Sequence, residues 1–221
     1  MLNSTYKRLP QNPNIKLHWG QDYNEYELMP GVGPFIEQNL AKIDRTIRWA
    51  REQSTRLYAV RLDLRFPQHY ELSGLGDFSN DPINRCLKSL KGRLDRYCKS
   101  RLHWHNYASL WSREYDKGDT RPHFHVLLLL NGHAFRAIGN MSKGGESLYR
   151  MIEESWLSAL RCQGLGLDKL VHVCKAGQYR IDTSKYAEAS SLFQRVSYMA
   201  KVRDKCFDDG YHRFGGSQMR G

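Results

Sequence analysis

The sequence predicts an α+β protein in which an antiparallel sheet carries helices packed mainly on one face. Three observations predict it. Stretches with apolar residues three and four apart alternate with stretches of period two. Two of the period-two stretches are joined by the turn-rich segment Asp116-Lys117-Gly118-Asp119-Thr120, which makes them a hairpin. No Gly-rich phosphate loop follows the first strand, so a Rossmann fold and its nucleotide cofactor have no support.

The elements follow in order. Residues 1–34 mix Asn, Pro, Tyr and charge without a period and read as an irregular N-terminal arm, closed by Pro30-Gly31-Val32-Gly33-Pro34. Residues 35–221 read as a single domain. From Phe35 to Gln53 the spacing of Ile36, Leu40, Ile43, Ile47 and Ala50 predicts an amphipathic helix. A strand follows in which Val60, Leu62, Leu64 and Phe66 share one face and Arg61, Asp63 and Arg65 the other, so its polar face is charged. Asp81-Pro82 opens a second helix through Ile83, Leu87, Leu90, Leu94 and Tyr97, whose other face is basic from Arg85 to Arg101. The hairpin strands span Asn106 to Tyr115 and Pro122 to Asn131. A helix at 145–161, short strands at Leu170 to Cys174 and Gln178 to Asp182, and a last helix from Lys185 to Arg203 complete the order α-β-α-β-β-α-β-β-α, which suits an antiparallel sheet.

Thirty-four Lys and Arg against 23 Asp and Glu give a formal net charge of +11, which favours an extended anionic partner such as nucleic acid. The longest apolar run, Val126 to Leu130, is far short of the roughly 20 residues a membrane span needs, and the N-terminus lacks a signal-peptide pattern; a soluble, cytoplasmic protein is expected. Five widely spaced cysteines, with no C-x-x-C pair, indicate neither a disulfide framework nor a zinc ribbon.

His123-Phe124-His125 is the sharpest chemical feature, because residues i and i+2 of a strand project from one face and two imidazoles can converge on one ion. With the turn centred between Gly118 and Asp119, Glu114 lies opposite His123 on that same face. Two histidines and a carboxylate leave coordination positions open and suit a hard divalent ion such as Mg²⁺ or Mn²⁺. A second spelling of the same kind, His103-Trp104-His105, sits where the basic helix meets the hairpin, without an acidic residue opposite it.

On the last helix, Ala189, Leu192, Phe193 and Val196 form the buried stripe, and Tyr198 lies about 200° from Val196 at 100° per residue. Tyr198 therefore faces away from the core, with Lys201 on its side one turn along.

Trp111-Ser112-Arg113-Glu114, Arg121-Pro122-His123-Phe124-His125-Val126-Leu127-Leu128, Ser197-Tyr198-Met199-Ala200-Lys201 and Arg213-Phe214-Gly215 together resemble the HUH endonucleases, and more narrowly the inovirus-type replication proteins that include the YagK/YfjJ prophage proteins. The similarity runs from about Arg56 to Ser217. The resemblance implies a ferredoxin-like sheet, His123 and His125 as metal ligands with Glu114 as the third, Tyr198 as nucleophile and Lys201 as its helper. It implies a rolling-circle replication initiator that nicks and rejoins single-stranded origin DNA through a 5′-phosphotyrosyl link, working beside a host helicase and polymerase. Only one tyrosine stands in the catalytic segment, Tyr186 being three turns back. Arg61, Arg65, Lys88, Lys91 and Arg121 are the candidates for contact with the DNA backbone. Two other readings fit the same residues: a catalytically inactive prophage DNA-binding regulator, and a metal-dependent hydrolase whose nucleophile is water.

Overall fold

The structure, a computed structural model, describes residues 5–74, 76–99, 107–141 and 146–218. Its elements are β1 (Arg8–Leu9), β2 (Asn12–His18), β3 (Asp22–Tyr23), β4 (Tyr26–Glu27), β5 (Phe35–Ile36), α1 (Glu37–Gln53), β6 (Arg56–Arg65), α2 (Asp81–Lys99), β7 (Tyr107–Tyr115), β8 (Pro122–Asn131), α3 (Leu148–Ala159), β9 (Val171–Asp182), α4 (Tyr186–Ser197) and β10 (Phe214–Gly216). The second His-hydrophobic-His spelling at 103–105, Arg101 at the end of the basic face, Asn106 and residue 145 lie outside the described residues.

The main sheet is antiparallel throughout, in the order β10-β7-β8-β6-β9. This is the α+β antiparallel architecture that the sequence predicts, with one correction. The helices do not gather on one face. Helices α2 and α3 pack on the side of Tyr58, Val60, Leu62, Val126, Leu128 and Leu130, whereas α1 and α4 pack on the side of Leu57, Ala59, Leu110, Leu127 and Leu129. The reason is visible in β8. Val126 to Leu130 is apolar at both parities, and successive strand residues point to opposite faces, so both faces need a cover.

The N-terminal stretch is also corrected: it is not irregular. β1, β2 and β5 form a three-stranded sheet and β3 pairs with β4. Leu9 and Leu17 bury against Ile36 and Val202, while Tyr26, Leu28 and Val32 join the α1/α4 core. These apolar residues follow no helical or strand period and find partners far away in sequence, so no local pattern announces them.

At the other edge, the two short strands expected around residue 176 are one strand, β9, with a bulge. Its register against β6 shifts between Val60 and Leu62. A Cβ on Gly177 would stand 2.7 Å from the carbonyl oxygens of Arg61 and Cys174, so the bulge requires glycine there. The opposite edge is β10, which pairs Phe214 with Ser112 and Gly216 with Leu110.

Candidate metal centre

Three neighbouring strands deliver the site to the hairpin end of the sheet, on the α1/α4 face. In the β7–β8 register Glu114 stands opposite His123, and in the β6–β8 register Asp63 stands opposite His125. Each histidine therefore has a carboxylate across from it. His125 Nε2 lies 3.1 Å from Glu114 Oε2 and 3.3 Å from His123 Nε2, and one ligand atom from each of Glu114, His123 and His125 falls within 4.8 Å of the others. All three side chains are buried.

Asp63 was not among the residues singled out from sequence, yet its Oδ1 lies 2.5 Å from His125 Nδ1. Its signal was the charged face of its strand; what that face meets depends on which strand lies alongside. With the Nδ1–H directed at Asp63, the neutral His125 ring presents its Nε2 lone pair to a carboxylate oxygen. Two acceptors at that range need a proton or a cation between them. Donor atoms bound at about 2.1 Å to one ion stand about 3 Å apart when cis, so the three residues fit a divalent ion.

The second half of the site comes from the chain after α4. Lys205 Nζ reaches Glu114 Oε1 at 2.7 Å and Ser112 Oγ at 2.6 Å, and Lys201 Nζ is bonded to Glu114 Oε2 and lies 2.9 Å from Asp204. Both ammonium groups are fully buried. Burial pushes the Glu114 carboxyl up, but Lys205, His125 and Lys201 outweigh it and hold the group well below the usual carboxylate range. Burial lowers Lys205 to about 8 despite Glu114, whereas for Lys201 the carboxylate overcomes burial and the pKa rises. Burial and the neighbouring His125 lower His123 to about 4. For His125, burial is outweighed by Asp63 and Glu114 and the pKa rises. Lys205 too escaped the sequence reading, because nothing in its local pattern marks it as buried.

Tyr198 and Lys201 do not share a continuous helix. Helix α4 ends at Ser197, a 3-10 turn spans Tyr198–Ala200, and Lys201 is extended at φ −56°, ψ 149°. The N-terminal segment draws the chain out of the helix: Lys201 bridges to Phe35, Val202 N–H donates to Pro34 O at 3.0 Å, and Met29 N–H donates to Ser197 Oγ at 2.9 Å. The half-buried Tyr198 ring thus stands edge-on to His125, centroids 5.7 Å apart at 82°, with Lys201 Nζ 4.1 Å from its centroid and the Arg61 guanidinium carbon at 5.0 Å. Tyr186 sits at the other end of α4, stacked on Tyr26.

The basic residues divide. Arg61 flanks Tyr198, and Arg65 and Arg121 stand at the hairpin end, paired with Asp116 at 2.7 Å and Asp119 at 3.2 Å. Lys88 and Lys91 are exposed on α2, which covers the opposite face of the sheet, and Lys91 is paired with Asp95 at 2.7 Å. Arg85 and Arg93 of the same helix are tied to Asp77 and Glu154. Among the described residues no helix is long and apolar enough to cross a membrane.

Fold and site together define an α+β protein with a buried candidate metal centre of two histidines and a carboxylate, and a tyrosine beside it. Within that class the chain belongs to the YagK/YfjJ C-terminal domain family, whose model matches residues 21–217 and so begins well before Arg56. It is 29% identical over 200 residues to the uncharacterized protein YagK of Escherichia coli K12, covering 85% of this chain and 95% of the relative. It is 34% identical over 150 residues to the uncharacterized protein YfjJ of the same strain, covering 62% of this chain and 70% of the relative. No solved structure matches.

Proposed function

We propose that the protein is a metal-dependent, single-strand DNA endonuclease of the HUH type, with Tyr198 as nucleophile and rolling-circle initiation as its role. The observation that carries this reading is the Tyr198 ring standing edge-on to His125, 5.7 Å between centroids, beside the cluster of Glu114, His123 and His125. A water-using hydrolase has no need of that tyrosine, and a binding module has no need of the cluster.

Glu114, His123 and His125 would hold the ion, with Asp63 orienting His125. When bound, a divalent ion such as Mg²⁺ or Mn²⁺ supplies Lewis-acid charge to the scissile phosphate. Tyr198 would give its phenolic proton to solvent and form a bond from its oxygen to phosphorus, while the bond from phosphorus to the 3′ oxygen breaks and that oxygen takes a proton from solvent. A 5′-phosphotyrosyl link and a free 3′-hydroxyl result, and the retained phosphoester allows rejoining. Lys201, against the Tyr198 ring and bonded to Glu114, would add positive charge beside the phosphate that the tyrosine attacks. The +11 net charge supports an anionic polymer as substrate.

The test is a denaturing gel of the protein with labelled single-stranded DNA, with and without Mn²⁺, comparing wild type with Tyr198→Phe. The expected result is a metal-dependent covalent band absent from the variant. Cleavage without a band would transfer the role of nucleophile to water, and binding with neither would leave a regulator.

A further inference from the structure

Next to the metal centre, the hairpin end of the sheet opens into a cleft of about 520 Å³, within the range of about 300–1,000 Å³ usual for ligand sites. Its walls come from three segments: residues 65–68 leaving β6, residues 119–123 entering β8, and residues 166–170 entering β9. His123 belongs both to this wall and to the metal cluster, so the cleft adjoins the reacting centre.

The wall has two chemistries. Pro67, Pro122 and Leu167 give it an apolar side. Arg65, Arg121 and Lys169 give it cations, which outnumber the carboxylates of Asp119 and Asp168 in the same lining. Arg121 is fixed by Asp119, which accepts from its Nε and Nη2 at 3.2 Å, and its Nη1 lies 3.4 Å from Pro67 O. Arg65 gives one N–H to Asp116 at 2.7 Å, which leaves most of a guanidinium's donors for a ligand. Lys169 makes no ion pair among the described residues and is carried on a left-handed backbone at φ +58°. An apolar wall beside cations held in place matches an unpaired nucleotide, whose base packs by its face and whose phosphate takes charged donors. The size admits a base and its sugar rather than a duplex.

We infer that this cleft seats the unpaired nucleotide adjoining the phosphate presented to Tyr198, with its base against Pro67, Pro122 and Leu167 and its own phosphate on Arg121 and Lys169. The inference rests on the single-strand endonuclease reading. It also assigns a direction: the strand runs from the His123 side of the centre toward Arg61, along β6.

The test uses the full chain and an oligothymidylate of about 15 nucleotides substituted with 5-iodouracil, irradiated in EDTA at ~50 mM salt and mapped by peptide mass spectrometry. Crosslinks within residues 65–70, 121–123 or 166–170 are expected. Lys169→Asn, in which asparagine tolerates the left-handed backbone, is expected to bind the same oligonucleotide roughly five-fold more weakly by fluorescence anisotropy and to lose those crosslinks. Crosslinks confined to other segments, or an unchanged affinity and pattern in Lys169→Asn, overturn the cleft. The adduct gel separates the two readings. Crosslinks in the cleft with no Tyr198 adduct keep the nucleotide site and remove the endonuclease, whereas an adduct without crosslinks in the cleft removes the cleft alone.

Discussion

Asp63 Oδ1 lies 2.5 Å from His125 Nδ1, on the strand directly alongside, and this contact decides which nitrogen of His125 faces Glu114. A carboxylate behind a ligating histidine fixes its tautomer and raises its basicity. Asp63→Ala is therefore expected to lower Mn²⁺ affinity by about 10–100-fold, read by isothermal titration, with the fold intact by circular dichroism. An affinity equal to wild type would reduce Asp63 to a neighbour of the site.

Lys205 is buried with its ammonium on Glu114 and Ser112. Removing one partner of a buried ion pair leaves the other charge undercompensated. Lys205→Ala is expected to lower unfolding stability in urea by about 3 kcal/mol, and Lys205→Met, which keeps the stem and removes the charge, to lose nearly as much. A Lys205→Met variant as stable as wild type would mean that packing of the lysine stem rather than its charge holds this corner.

The placing of the basic residues on opposite faces gives a third expectation. Arg61→Ala, beside Tyr198, should weaken binding to single-stranded DNA and slow adduct formation, whereas Lys88→Ala on α2 should change either by no more than about two-fold. The reverse ranking in anisotropy and gel assays would move the DNA path to the α2 face.

Gly177 tests the bulge that turns β9 past Arg61. A methyl group there meets two backbone oxygens at 2.7 Å, so Gly177→Ala is expected to cost about 1–3 kcal/mol and to displace Arg61. A denaturation midpoint equal to that of wild type would mean that the bulge yields without loss.

Much of this architecture was legible residue by residue. The hairpin register was readable because a short turn fixes which residues face each other, and that placed Glu114 opposite His123. Helix α2 was readable because Asp81-Pro82 marks its start and Ile83, Leu90 and Leu94 keep a helical spacing. The two-sided cover of the sheet was missed, although Val126 to Leu130 carries apolar residues of both parities and so needs cover on both faces. Strand β10 was not legible: Phe214–Gly216 is three residues long, and its pairing with β7 depends on Gly215 approaching the Trp111 ring, where a Cβ would stand 2.4 Å away.

What the sequence determined by itself was local. Period and turn chemistry set α1, α2, β6 and the hairpin of β7 and β8, and with the hairpin the shared face of Glu114, His123 and His125, since these depend on neighbours close in the chain. The tertiary structure decided what stands behind and around that trio. Asp63 reaches His125 because β6 lies beside β8, Lys205 reaches Glu114 because the chain after α4 returns along β7, and Tyr198 leaves its helix because residues 29–35 pair with the turn that carries it. Contacts between segments far apart in the chain leave no period in either segment, and a buried charge is recognisable only once its partner is in place.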